Sequence, residues 1–85
     1  MPRQCLACGQ RPAATTPEWP ALCQPCLDRA GERIEPGARV VCRVDAGCSG
    51  IVERLEEDGH IAVVRTANGP DAWVSVGDLV CVVRQ

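Results

Sequence analysis

The chain has 85 residues and a mass of 9.1 kDa, which leaves room for one small domain or for two that are each too small to stand alone. Its composition is 46% hydrophobic, yet it has no Phe, no Tyr, one Met and two Trp, which excludes a large aromatic core. Nine Arg, no Lys and eleven acidic residues give a formal charge of -2, which argues against a basic nucleic-acid tail or a polybasic membrane anchor.

No apolar run approaches the roughly 18 to 20 residues of a membrane span. Met1-Pro2-Arg3-Gln4-Cys5 lacks the apolar segment of a secretion signal. The expectation is a cytoplasmic protein with no membrane partner. In that setting seven cysteines point to metal or redox chemistry rather than to a disulfide scaffold.

Glu35-Pro36-Gly37 combines a helix stop with a turn and divides the chain into residues 1–35 and 36–85. The first part holds four cysteines and no alternating apolar stretch, so burial alone cannot fold it. Within it, Cys5-Leu6-Ala7-Cys8 and Cys23-Gln24-Pro25-Cys26 are two Cys-x-x-Cys pairs separated by fourteen residues. Each spacing lets one tight turn aim two thiolates at a single ion, and two such turns complete a tetrahedron of sulfurs. One structural Zn2+ held by Cys5, Cys8, Cys23 and Cys26 is the expected cofactor. The loop between the pairs offers no His or spare acid arranged as an open catalytic position.

Gly9 follows Cys8 and tolerates the positive φ of a metal knuckle. After the second pair, Leu27, Ala30 and Ile34 fall on one helical face, and Pro25 suits a first helical turn, so a helix is expected to run on to Ile34. A knuckle followed by a pair at a helix start resembles a treble-clef zinc finger. The run is also similar to the four-cysteine fingers of bacterial transcription regulators of the DnaK-suppressor type, whose coiled-coil hairpin this chain lacks. Iron in a rubredoxin-like cage and a thiol-disulfide oxidoreductase are the alternatives. The second gains from a Cys-x-x-Cys at a helix start but has no βαβ context.

From Pro36 onward the texture changes to short runs of Val, Ile, Leu and Ala separated by turn signals. Val40, Cys42 and Val44 alternate with Arg39, Val41 and Arg43 in the first expected strand. A loop at Asp45-Ala46-Gly47-Cys48-Ser49-Gly50 leads to Ile51–Leu55. Turns at Glu56-Glu57-Asp58-Gly59 and Asn68-Gly69-Pro70 bracket His60–Arg65, and Ala72–Val76 and Val80–Arg84 complete five strands. Pro36-Gly37-x-x-Val40, Gly47-x-x-Gly50-x-Val52 and Asp78-Leu79 resemble an SH3-like barrel of the KOW or Tudor kind. The expected fold is therefore small α+β, mostly β, with an N-terminal zinc finger and a five-stranded antiparallel SH3-like barrel.

If the first and fifth strands pair, Cys42 and Cys81 face inward as small hydrophobes. The outward positions then bring Arg39, Val41, Arg43, Val80, Val82 and Arg84 together as an apolar strip edged by guanidinium groups. That strip is either a partner-binding surface or the seat of the finger, with the Arg side chains left as a solvated rim. Trp73 falls on the polar parity of its strand and is expected to be partly exposed. Two Trp cannot build a methyl-lysine cage.

No HExxH, phosphate loop, or nucleophile with a base is present, and an enzyme is not expected. Zinc fingers and KOW-like barrels recur in transcription and translation machinery, so the resemblance implies nucleic acid. Neither part of the chain carries the surplus of positive charge that phosphate binding draws on. The expected function is a non-catalytic, zinc-binding adaptor for a protein or ribonucleoprotein partner, with direct RNA or DNA binding second and thiol-disulfide chemistry third. Partner contact is expected at Arg39, Val41, Arg43, Trp73, Val80, Val82 and Arg84.

Overall fold

The computed structural model describes residues 3–16, 18–45, 48–67 and 69–82. Five strands form one antiparallel sheet: β1 (Arg39–Cys42), β2 (Gly50–Glu56), β3 (Ile61–Thr66), β4 (Ala72–Ser75) and β5 (Leu79–Cys81). Their order across the sheet is β4-β3-β2-β1-β5, with β4 and β5 at the two edges. The ladder is open, since no β4–β5 pairing closes it among the described residues. One short helix, α1 (Gln24–Leu27), belongs to the cysteine-rich region.

The sheet is shaped by its apolar alternation. Val40 and Cys42 of β1, Ala62 and Val64 of β3, Val74 of β4 and Leu79 of β5 point to one side and bury against Val52 and Ile34. Between Val52 and Arg54 the β2–β3 register slips by one residue, so Glu53 is a bulge. The slip has a packing consequence. Val52 and Leu55 are an odd number of residues apart and would otherwise face opposite sides, yet both pack into this core.

At the start of β2 only glycine fits. A Cβ on Gly50 would collide with the backbone carbonyl of Arg65 in β3. The β2–β3 turn winds through the left-handed region at Glu57, Asp58 and Gly59, and a second 3-10 turn, Val76–Asp78, links β4 to β5. Ala46-Gly47 of the loop before β2 and Asn68 of the turn after β3 lie outside the described residues.

Two expectations about local structure are corrected. The first strand ends at Cys42, and Val44 is exposed beyond it. The helix after the second cysteine pair is a single turn rather than a run to Ile34. From Arg29 onward the backbone bonds shorten to i→i+3, and Gly31 and Arg33 then take positive φ. The Gly31 N–H donates to the Leu79 carbonyl at 2.9 Å, so a bond to β5 replaces a helical one. The expected apolar face accordingly splits: Leu27 and Ala30 stay with the cysteines, and Ile34 enters the core of the sheet.

Candidate metal centre

The first cysteine pair sits on a knuckle. The Gly9 N–H donates to the Cys5 carbonyl at 2.9 Å, and Gly9 has φ 69, which closes the turn and presents Cys5 and Cys8 on one side. An isolated antiparallel bridge between Gln4 and Pro12 returns the chain beneath it. The second pair sits at the helix: Cys23 is the N-cap residue, Pro25 occupies the first turn, and Cys26 points inward from α1.

The loop between the pairs is held by a residue that sequence reasoning missed. The Arg3 guanidinium donates to the carbonyls of Trp19, Thr15 and Thr16 at 2.9, 3.1 and 2.7 Å. Thr15 Oγ1 donates to the Pro20 carbonyl at 2.7 Å. These bonds fix the return path that brings Cys23 opposite Cys8. The only signal in the sequence was an Arg two residues before the first cysteine, which has no distinctive pattern.

The four sulfurs of Cys5, Cys8, Cys23 and Cys26 all lie within 4.8 Å of one another. Cys8 Sγ and Cys23 Sγ are 3.7 Å apart. A tetrahedron of thiolates at about 2.3 Å from a central ion has edges of roughly 3.8 Å. A disulfide would need about 2.05 Å, and all seven cysteines are free thiols. The cluster therefore has the dimensions to hold a metal ion.

Protonation differs between the two halves of the cluster. Burial works against the Cys5 thiolate, but the backbone N–H groups of Cys8, Cys23 and Ala7 outweigh it and bring the thiol down to about 6. The Gln10 backbone N–H lowers Cys8. Burial pushes Cys23 up, and burial followed by the crowding of the other three sulfurs pushes Cys26 up. The knuckle is thus ready to supply thiolate, whereas the helix pair keeps its protons until a cation replaces them.

The centre rests against the sheet. Cys5, Ala7, Leu22, Cys23 and Cys26 form one buried cluster with Val41 of β1 and Val80 of β5, which are 6% and 1% exposed. Val82 packs on the edge of the same cluster. Val41 and Val80 of the outward strip are buried against the cysteine cluster, and Val41 also lines a groove with Arg39 and Val82. The reason is physical. The finger's own apolar residues are too few to cover one side of the cysteines, and the outward valines supply the missing wall.

Of the remaining expected contact residues, Arg39 lines one groove with Val82, whose N–H donates to the Arg39 carbonyl at 2.8 Å, and Arg43 and Trp73 stand elsewhere. Arg39 is exposed. Arg43 is tied to Asp78, with Nη2 to Oδ1 at 3.0 Å and its backbone N–H to the Asp78 carbonyl at 2.8 Å, so it clasps β1 to the turn before β5. Trp73 is 61% exposed but stands on β4, at the opposite edge from β5. The Arg54 guanidinium lies 5.6 Å from its ring centroid and is held by Glu56 at 2.7 Å. Arg84 lies outside the described residues.

The three other cysteines belong to the core of the sheet. Cys42 is buried, Cys48 and Cys81 are partly buried against the same cluster, and the register places Cys42 opposite Leu79 and Cys81 opposite Val40. Burial first, then Cys42 and Asp45, push the Cys48 thiol up. No helix among the described residues is long and apolar enough to cross a membrane. Against known proteins, the chain matches no family model, no curated protein and no solved structure.

Proposed function

We propose that this chain is a non-catalytic zinc-binding interaction module, an adaptor whose metal centre holds a small β-sheet in a shape that a protein or ribonucleoprotein partner reads. The observation that carries the reading is the convergence of four thiols within 4.8 Å of one another, with the Cys8–Cys23 separation of 3.7 Å matching an edge of a tetrahedral thiolate site. Four sulfur donors suit Zn2+, and all four positions would be filled by protein, which leaves none for a substrate. Convergence of both pairs on one point also favours a bound ion over an isolated redox dithiol.

The finer architecture follows the same line. A knuckle and a helix-borne pair support a treble-clef finger. A meander in which β5 returns beside β1 after a 3-10 turn supports a sheet that curls toward an SH3-like barrel of the KOW or Tudor kind. Direct nucleic-acid binding is the weaker reading. Trp73 offers a stacking face, but Glu53, Glu56 and Asp71 stand on the same stretch of sheet, and Arg54, the guanidinium beside its ring, is already paired with Glu56. A cytoplasmic setting is proposed with this function, because four thiols kept free for metal need a reducing compartment.

Cobalt substitution tests the core of the reading. Co2+ added to the reduced, metal-free chain should give one-to-one binding with intense thiolate-to-cobalt charge transfer and tetrahedral d–d bands, and Zn2+ should displace it. Cys5→Ser or Cys26→Ser should weaken binding by orders of magnitude, and Cys42→Ser or Cys48→Ser should leave the spectrum unchanged. Octahedral spectra, or equal loss in all four variants, would overturn it.

A further inference from the structure

Exposed apolar side chains and two exposed arginines meet between the first cysteine pair and the sheet. A groove of about 650 Å³ lies between Leu6, at the tip of the knuckle, and Arg39, Ile51, Arg65 and Val82 of the sheet. Leu6 also lines a second groove, of about 610 Å³, that runs along the finger past Trp19. The two grooves share Leu6, so one apolar track crosses from sheet to finger. Its three large side chains, Ile51, Leu6 and Trp19, are 39%, 41% and 44% exposed.

Charge singles out the first groove. The chain has eleven acidic and nine basic residues, yet no acidic residue lines this groove and two arginines do. The Arg39 guanidinium has no hydrogen-bond or ion-pair partner among the described residues. Arg65 makes one contact, to Glu53 at 3.1 Å, and its side chain is 69% exposed. Apolar floor and cationic rim therefore coincide where the rest of the molecule is net negative.

We infer that this groove docks an extended segment of a partner protein whose apolar side chains are flanked by carboxylates. The inference rests on the adaptor reading and names its surface. Carboxylates would pair with Arg39 and Arg65, and apolar side chains would cover Leu6, Ile51 and Val82. A phosphodiester backbone would satisfy the two cations and leave the apolar floor in water, so a peptide fits the lining better than RNA or DNA. Because Leu6 lies between two cysteines of the metal centre, the groove exists in this form only while the centre holds the knuckle in place.

Selection of random 16-residue peptides displayed on phage against the immobilised zinc-loaded chain tests this. The expected result is enrichment of sequences in which Asp or Glu flank Leu, Ile, Val or Phe. Synthetic copies of the enriched peptides should bind Arg39→Glu and Leu6→Asp roughly tenfold more weakly or worse, while both variants keep the cobalt spectrum of the intact centre. Binding should be unchanged in Trp73→Ala. Enriched peptides that are basic or show no charge bias would overturn the inference, as would a folded chain that enriches nothing. Peptides that bind but are lost with Trp73→Ala instead of the groove variants would overturn the groove and leave the adaptor reading standing. Single-stranded RNA that shifts the groove amides in NMR spectra, where the acidic peptides do not, would overturn both.

Discussion

The described residues between 3 and 33 contain one helical turn and one isolated bridge, whereas those between 39 and 81 carry a five-stranded ladder. Each region contributes a buried cluster made of small side chains, but the clusters differ in kind. The sheet's core is Val, Leu, Ile and Ala with Cys42 buried among them, and its strands are paired in one ladder. The finger's cluster has three cysteines at its centre and borrows Val41 and Val80 from the other side of the sheet. One region is organised by burial and hydrogen bonding and the other gathers around four cysteines with the dimensions to hold a metal ion, and the two share the β1–β5 strand pair as a common wall.

The largest effect should come from breaking the metal site. Metal binding by a four-thiolate site supplies on the order of 10 kcal/mol, far more than residues 3–33 could gain from their own apolar surface. Cys23→Ser should abolish order in the finger, measured as loss of amide dispersion, while β2, β3 and β4 stay paired. Unfolding of the whole chain at once would show that the sheet has no separate source of stability.

Proton release sharpens the same contrast. Burial raises Cys23 and Cys26 above the ordinary thiol value of 9.0, so both are protonated at pH 7 before metal arrives. Metal binding should therefore release at least two protons at that pH, read by calorimetry in buffers of different ionisation enthalpy. The sign follows: affinity for metal falls as pH drops, by a factor of about 100 or more per unit near neutrality. Cys5, already lowered to about 6, contributes its share only at lower pH. Release of less than one proton would contradict the assigned burial of the helix pair.

Substitutions on the two sides of the sheet should separate the regions further. Gly50→Ala forces a Cβ against the Arg65 carbonyl and should cost about 1–3 kcal/mol of unfolding free energy, with or without zinc. Val64→Ala in the sheet core and Val80→Ala under the finger should each cost about 2 kcal/mol in the zinc-loaded chain. After chelation the Val64→Ala cost should persist and the Val80→Ala cost should shrink, since the finger no longer covers Val80. Equal costs in both states, from denaturant melts, would mean that the finger stays docked without metal.

The cysteine pairs and the strands were legible because each depends on local spacing. A Cys-x-x-Cys turn sets two sulfurs side by side whatever surrounds it, and alternation of Val, Cys and Ala with Arg and Glu fixes which side of a strand is buried. Trp73 was legible for the same reason. The length of the helix was not, because Gly31 leaves the helix to bond the Leu79 carbonyl, a partner 48 residues away. Arg3 and Arg43 were equally silent, since their roles are bonds to carbonyls and to Asp78 that only the folded chain brings near. The strip at Val41 and Val80 could be drawn from parity, but whether finger or partner covers it is decided by tertiary packing.

The central claim is that metal folds the finger onto a sheet that holds its own ladder. An amide-resolved NMR spectrum of the zinc-loaded chain, recorded before and after addition of a chelator, tests it most directly. Resonances from Cys5, Leu22, Cys26 and Val80 should lose dispersion, and those from Ala62, Val63 and Val64 should keep theirs. Finger resonances that hold their positions without metal would contradict the account.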